Sequence, residues 1–157
     1  MRGMKQVFVT RLTDIDLTDK EGVGSLRQEG NSWYKYVQIK NHTATVAGAA
    51  GSLVGYYVGT GYGSNRVVVD LSDADTIAVG AVALLATVTG TLDVAYYGWL
   101  QIKGPITLDT AVSSGAAGKN FYLTSTDKTG AVGAAYYNQA IGVCLDGTTS
   151  VLLDAPF

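Results

Sequence analysis

The chain has few of the residues on which most enzymes and secreted proteins depend. Its 157 residues include one histidine, one cysteine and two prolines, and only 15% of them are charged. Because Cys144 is the single cysteine, no internal disulfide can form, and we expect synthesis and folding in the cytoplasm. His42 is the one candidate for a histidine-based metal site or catalytic relay.

The charge and the apolar runs exclude two classes of partner. The net charge of −2 argues against nucleic acid, which usually requires a basic stripe on the protein. Residues 78–88 form an apolar run that contains Gly80 and falls short of the roughly 20 residues of a membrane span. Residues 1–10 lack the apolar core of a signal peptide. We therefore expect neither nucleic acid nor a membrane as a partner.

The residues that could carry chemistry are isolated from one another. Cys144 stands in an apolar, strand-like stretch, where a buried and inert thiol is expected. His42 follows a predicted strand and is expected in an exposed loop. The glycine clusters at 59–63 and 118–120 lack the spacing of dinucleotide-binding and phosphate-binding loops and predict turns.

Two pairs of aspartates, Asp14 with Asp16 and Asp73 with Asp75, could in principle hold a hard cation. Neither pair lies in a sequence of EF-hand type, and aspartate is common in turns and at caps because its side chain bonds nearby backbone N–H groups. We predict a protein that is not an enzyme and that has no metal site and no cofactor.

Short strand-like stretches, separated by turn signals about every ten residues, make up most of the chain. The pattern predicts an all-β fold in one domain, a β-sandwich or a β-barrel. A hairpin is predicted between residues 24–28 and 33–40, with turn residues at 29–32. A second predicted pair joins residues 140–145 to residues 150–153 across Asp146 and Gly147.

Residues 72–88 fit both a helix and strands. Apolar residues at 77, 81, 84, 85 and 88 form a helical stripe, and Ser72 with Asp75 resembles a capping box. Against a helix, Gly80 interrupts the run and β-branched residues are frequent. A short helix around 74–88 therefore remains as an alternative to strands.

Charge is concentrated at the start of the chain, where residues 1–21 hold eight of the 24 charged residues. We interpret residues 1–21 as an extended N-terminal arm and residues 22–157 as a β-rich body. A body with so little charge would be poorly protected against association as a free monomer, which favours a protein that works in an assembly.

The ten tyrosines recur on or beside predicted strands, often in adjacent pairs. Neighbouring residues of a strand point to opposite faces, so at least one tyrosine of each pair should face outward, where its large area and polar tip suit an interface. In the strand at 33–40, Tyr34 and Tyr36 share a face opposite Val37 and Ile39. The candidate interface residues are Arg2, Lys5, Phe8, Arg11, Tyr34, Tyr36, Tyr56, Tyr97 and Trp99.

Three segments are informative together: residues 26–37 (LRQEGNSWYKYV), residues 97–104 (YGWLQIKG) and residues 140–146 with 151–154 (AIGVCLD and VLLD). Taken together, they resemble segments of the capsid decoration proteins, also called cement proteins, of tailed bacteriophages. The resemblance implies a structural protein on the exterior of the virion that binds the major capsid protein and bridges its subunits. It also implies a homo-oligomer, with a trimer favoured, and an arm that reaches neighbouring subunits.

Two other functions fit parts of the sequence. A carbohydrate-binding or tail-associated β module would use Trp33, Trp99 and the tyrosines as stacking platforms. A small hydrolase would use pairs of Asp and Glu, but acidic residues are sparse beyond the arm, and histidine and cysteine are nearly absent. The sequence therefore favours the structural protein.

Overall fold

A computed structural model describes residues 7–42, 44–57, 65–72, 81–133 and 140–155. Within these ranges the structure consists of strands and turns, with no helix long and apolar enough to cross a membrane. The prediction of an all-β fold is confirmed. The strands are β1 (Ile15–Asp16), β2 (Leu26–Glu29), β3 (Ser32–Ile39), β4 (Val46–Gly48), β5 (Leu53–Tyr56), β6 (Arg66–Val68), β7 (Ala81–Leu84), β8 (Val88–Gly90), β9 (Tyr96–Thr107), β10 (Asn120–Leu123), β11 (Gly130–Ala131), β12 (Gly142–Cys144) and β13 (Ser150–Asp154).

The long strand β9 organises the main sheet. Along one edge it pairs antiparallel with β3, from Tyr96 to Lys103. Along its other edge lie β1, then β7, then β13, which pairs with the end of β9 from Lys103 to Thr107. Because three short strands share one edge of β9, the single sheet connects two halves of the molecule.

The first half is a small barrel. Strands β9, β7, β5, β6 and β3 pair in that order, and β3 pairs again with β9, which closes the ring. Four of the five pairings are antiparallel, and the pairing of β3 with β6 is parallel. Closure removes free edges from this part of the sheet. Beyond the ring, the sheet continues from β9 through β13, β12 and β10 to β11, while β4 and β8 form a separate two-stranded sheet.

Two buried cores lie on opposite faces of the ring strands β5, β6 and β7. Alternate residues of β5, Leu53 and Val54, enter different cores, and β7 divides Val82 from Ala83 in the same way. The barrel interior holds Val37, Ile39, Val54, Tyr56, Val67, Val69, Val82, Leu84, Val88, Leu100, Ile102 and Ala155. The second core holds Leu53, Val68, Leu71, Ala83, Leu108, Val112, Phe121, Leu123, Ile141, Cys144, Val151 and Leu153.

The two-sided burial explains why residues 72–88 looked helical. A strand that is buried on both faces is apolar at nearly every position, so its sequence matches a helical stripe as well as a strand. Residues 81–84 and 88–90 are the strands β7 and β8, and the helix alternative is wrong for this part. Residues 73–80 lie outside the described residues.

Both predicted hairpins are confirmed. Strands β2 and β3 pair from Leu26 with Lys35 to Glu29 with Ser32, which leaves a two-residue loop of Gly30 and Asn31. Gly30 has a φ of 56°, as the first loop position of a type II′ turn requires, and glycine adopts positive φ without steric cost. Strands β12 and β13 pair from Gly142 with Leu153 to Cys144 with Val151.

Candidate interaction surface

An aromatic face covers the outer side of β3 and β9, opposite the barrel interior. Alternation places Tyr34, Tyr36 and Gln38 of β3 on this side, next to Tyr97, Trp99 and Gln101 of β9. Tyr36 and Trp99 are register partners, and their rings meet edge to face, with centroids 5.2 Å apart and an interplanar angle of 65°. We call these six residues the aromatic face.

The start of the chain covers the centre of the aromatic face. We call residues 7–10 the N-terminal segment. The ring of Phe8 stands at 88° to that of Trp99, with centroids 5.0 Å apart. Thr10 is buried, and its Oγ1 accepts a 2.8 Å hydrogen bond from Nε1 of Trp99. The indole therefore has a packed ring and a satisfied N–H, which is the usual state of a buried tryptophan.

Glu21 and Arg27 hold the N-terminal segment from either side. Oε1 of Glu21 accepts hydrogen bonds from the backbone nitrogens of Val9 (2.8 Å) and Thr10 (2.6 Å) and from Oγ1 of Thr10 (2.7 Å). Nη1 of Arg27 donates to the carbonyl oxygen of Thr10 at 3.0 Å, and its guanidinium carbon lies 5.1 Å from the Phe8 ring centroid. Hydrogen bonds that involve a charged partner are stronger than neutral ones, so this short segment is firmly placed.

The predicted arm does not extend from the body in its described part. After the N-terminal segment, Asp14 turns the chain by accepting a hydrogen bond from the backbone nitrogen of Arg11, and Ile15 and Asp16 then pair with β9. Residues 8–16 thus lie on their own chain, and the prediction of an arm that reaches away is corrected for them. Asp16 also forms an ion pair with Lys20 of the same chain.

Three of the predicted interface residues belong to the interior. Tyr36 and Trp99 are fully buried, and Tyr56 is 3% exposed and points into the barrel, where Nζ of Lys35 lies 5.1 Å from its ring centroid. Burial raises the pKa of Tyr56 and of Tyr36 above the usual value. The prediction of these three as contact residues is wrong. It assumed that one face of each strand is open to solvent, but both faces are covered at these positions.

The other predicted interface residues retain access to solvent or fall outside the described ranges. Phe8, Tyr34 and Tyr97 are half-buried, and Arg11 is exposed. Oη of Tyr97 accepts a hydrogen bond from Nε2 of Gln38, which fixes that ring on the aromatic face. Arg2 and Lys5 lie outside the described residues.

The outer side of the N-terminal segment presents apolar side chains to solvent. Val7 and Val9 are 79% and 74% exposed, because alternation turns Phe8 and Thr10 inward. Leu17, farther along the arm, is 65% exposed. These valines were not among the predicted contacts, because the sequence shows the alternation of residues 7–10 but not which side faces outward.

A second apolar surface lies on the outer side of the β12–β13 hairpin. Leu152 is exposed and lies between Val143 of β12 and Pro105 of β9 in the pairing register. Leu145, just after β12, is exposed as well. Sequence reasoning missed this surface, because the apolar run at 151–153 does not show which residue faces outward.

The residues that the sequence offered for chemistry are Cys144, His42 and the two aspartate pairs. Cys144 is buried, and His42 is exposed in a loop with its ring 5.6 Å from that of Tyr57, as both were predicted. Asp14 caps a turn, which confirms the structural interpretation of that aspartate. Over the described ranges, no three side chains of His, Cys, Asp or Glu converge to hold a metal. Asp73, Asp75 and the glycine-rich residues 59–63 lie outside those ranges.

Comparison with known proteins gave no match to a family model, to a curated protein or to a solved structure.

Proposed function

We propose that the protein is a structural component of a tailed-bacteriophage virion that binds the outside of the capsid and bridges subunits of the major capsid protein. The proposal rests first on the three segments that resemble decoration proteins. Residues 26–37 form β2 and β3, residues 97–104 belong to β9, and residues 140–154 contain β12 and β13. Because β3 and β13 both pair with β9, the three segments are neighbours in one sheet.

The adjacency of these segments is the observation that carries the proposal. Segments that are far apart in sequence resemble one family and also build one continuous sheet, β2–β3–β9–β13–β12. The resemblance therefore lies in one continuous part of the sheet. In this proposal, the protein is made in the host cytoplasm and acts as a homo-oligomer, with a trimer favoured.

The exposed apolar side chains supply a physical means of binding. Val7, Val9 and Leu17 are exposed in the described arm, which also carries the exposed cation Arg11. A protein that binds an assembled shell but not its separate subunits stabilises the shell by mass action. Weak contacts repeated over a symmetric lattice, and over the subunits of an oligomer, can supply enough avidity for this role.

The carbohydrate-binding alternative has less support from the described aromatic residues. A stacking platform requires an exposed ring, and Trp99 is fully buried beneath Phe8. Trp33 is half-buried and packs against the barrel core. We therefore propose shell binding rather than glycan binding.

Co-sedimentation with expanded, undecorated heads of the phage that carries the gene tests the proposal. The full chain should pellet with heads, saturate at a fixed ratio to the major capsid protein, and raise the temperature at which heads release DNA. The double variant Val7→Asp/Val9→Asp should lose most of its occupancy, because it places charge on exposed apolar positions without altering the core. The double change Leu92→Asp/Val94→Asp, at two exposed apolar residues two positions apart in the loop before β9, is the control and should retain occupancy. Failure of the full chain to pellet with heads would contradict the proposal.

A further inference from the structure

The loop between β12 and β13 carries the single Asp–Gly pair of the chain, Asp146–Gly147. We propose that this pair is a site of spontaneous covalent modification, at which aspartate isomerises to isoaspartate through a cyclic imide. The reaction needs no enzyme and no cofactor, and the inference does not depend on binding to a shell.

The carboxylate of Asp146 is available to react. Asp146 is exposed, and its side chain forms no hydrogen bond and no ion pair with the part of the chain that the structure describes. Among the described aspartates, Asp93 is the one other residue in this state. The remaining described aspartates, whose carboxylates accept hydrogen bonds or form ion pairs, are Asp14, Asp16, Asp19, Asp70, Asp109, Asp127 and Asp154. Hydrogen bonds to a carboxylate stabilise its charged form and hold it in place, and so oppose the protonation and rotation that attack on its carbon requires.

The attacking atom is the backbone nitrogen of Gly147. Its N–H donates no hydrogen bond to any of the described residues. Gly147 has a φ of 123°, which residues with a side chain rarely adopt, so the loop requires glycine at this position. Apart from its chain neighbours, no heavy atom lies within 4 Å of the place that a Cβ would take. The nitrogen is therefore free to approach Cγ of Asp146.

The proposed reaction has two steps. In the first, the nitrogen of Gly147 attacks Cγ of the protonated Asp146 carboxyl group; a C–N bond forms, and the carboxyl hydroxyl leaves as water with the amide proton. In the second, water adds to one of the two carbonyl carbons of the five-membered imide and breaks its bond to nitrogen. Cleavage at Cγ restores aspartate. Cleavage at the main-chain carbonyl leaves isoaspartate, in which the chain runs through Cβ and Cγ, and the mass of the protein is unchanged.

Isoaspartate adds one carbon to the main chain of a loop that is held on both sides. Before residue 146, the nitrogen of Leu145 donates to the carbonyl oxygen of Ser150 at 2.8 Å. After it, the carbonyl oxygen of Thr148 accepts from the nitrogen of Val112 at 2.7 Å. We expect the extra atom to weaken the bond between Leu145 and Ser150, because Leu145 directly precedes the altered residue. Isomerisation would thus move the exposed side chain of Leu145.

Asp93 provides a comparison within the same chain. It is exposed and its carboxylate is free, as at Asp146. The next residue, however, is the β-branched Val94, whose N–H donates to Oγ1 of Thr91 at 3.1 Å. The side chain shields this nitrogen, and the hydrogen bond holds it in place. Asp146 should therefore react much faster than Asp93, although both carboxylates are open to solvent.

Incubation of the full chain at neutral pH and physiological temperature, in water enriched in oxygen-18, tests the inference. Hydrolysis of the imide places heavy oxygen in residue 146 of both products, and peptide mapping with electron-transfer dissociation locates the label and the isoaspartate. Both should accumulate several times faster at Asp146 than at Asp93. Asp146→Glu keeps the charge but would need a less favourable six-membered imide, and should abolish both signals. Accumulation at Asp146 no faster than at Asp93 would show that the inference is wrong.

The variant Val94→Gly separates the effect of the dipeptide from that of the structure. It creates a second Asp–Gly pair, in which the hydroxyl of Thr91 still holds the amide nitrogen. Asp93 of this variant should remain slower than Asp146. Reaction at the same rate would contradict the structural basis of the inference, which is the free N–H of Gly147.

Discussion

Thr10→Val isolates the hydroxyl that links the start of the chain to the centre of the sheet. In the wild type, Thr10 Oγ1 donates to Glu21 and accepts from Nε1 of Trp99, over a sequence separation of 89 residues. Valine has nearly the same shape as threonine, so packing is retained and only the two hydrogen bonds are lost. The indole N–H then remains buried without its acceptor.

The expected loss in the free energy of unfolding is about 2 kcal/mol. A buried donor without a partner costs about 1–3 kcal/mol, and a hydrogen bond to a charged group contributes about 1.5–3 kcal/mol. The two effects do not add in full, because the N-terminal segment can leave the aromatic face and let water reach Trp99. The free energy of docking of the segment therefore sets an upper limit on the loss.

Urea denaturation monitored by the fluorescence of Trp99, in a Trp33→Phe background, measures this effect. Thr10→Ser keeps the hydroxyl and is the matched control, with an expected loss well below that of valine. Two results would refute the reasoning: a valine variant within about 0.5 kcal/mol of the wild type, which is the range of ordinary surface substitutions, or equal losses for serine and valine.

Three further predictions concern the barrel and the two predicted hairpins. Tyr56→Phe should raise stability by about 1 kcal/mol, since Oη of Tyr56 is buried with no hydrogen-bond partner among the described residues. Because the folded-state pKa of Tyr56 is raised above 10.0, the wild type should also lose stability relative to this variant as the pH rises above that value, which alkaline denaturation measures; parallel curves would contradict this. Gly142→Ala should cost about 3 kcal/mol in urea denaturation, because the added Cβ would lie 2.8 Å from Cε1 of Phe121 and overlap the carbonyl oxygen of Leu152; an unchanged midpoint would show that β12 can shift. Gly30→Ala should cost about 1 kcal/mol through its positive φ alone, since nothing lies near the added Cβ, and a neutral result in thermal unfolding would contradict the turn geometry.

Local turn chemistry allowed both hairpins to be predicted from the sequence. Gly30 and Asn31 stand between two strand-like stretches, and the loop that they form requires only that Gly30 adopt a positive φ. The β12–β13 pair follows in the same way from the Asp146–Gly147 turn, where Gly147 has a φ of 123°. Signals of this kind act over a few residues and need no knowledge of the rest of the fold.

The burial of the aromatic residues could not be predicted, because it depends on distant parts of the chain. Alternation showed correctly that Tyr36 lies opposite Val37, but it does not show what covers the Tyr36 side. Phe8 and Thr10 cover this side: the ring of Phe8 packs against Trp99, and Thr10 accepts a hydrogen bond from the indole N–H. Glu21 holds them there by accepting a hydrogen bond from the backbone nitrogen of Thr10. For the same reason, the exposed side of the N-terminal segment could be identified only once its inner side was known.

The central claim is that the protein is bound to the outside of a phage head. A cryo-electron-microscopy reconstruction of virions from the phage that carries the gene tests it most directly. Our proposal predicts density for the β-barrel at symmetric positions on the outer surface, in contact with more than one subunit of the major capsid protein. A fully occupied shell whose outer density is accounted for by other proteins, together with the absence of this chain from the purified particles by mass spectrometry, would contradict it.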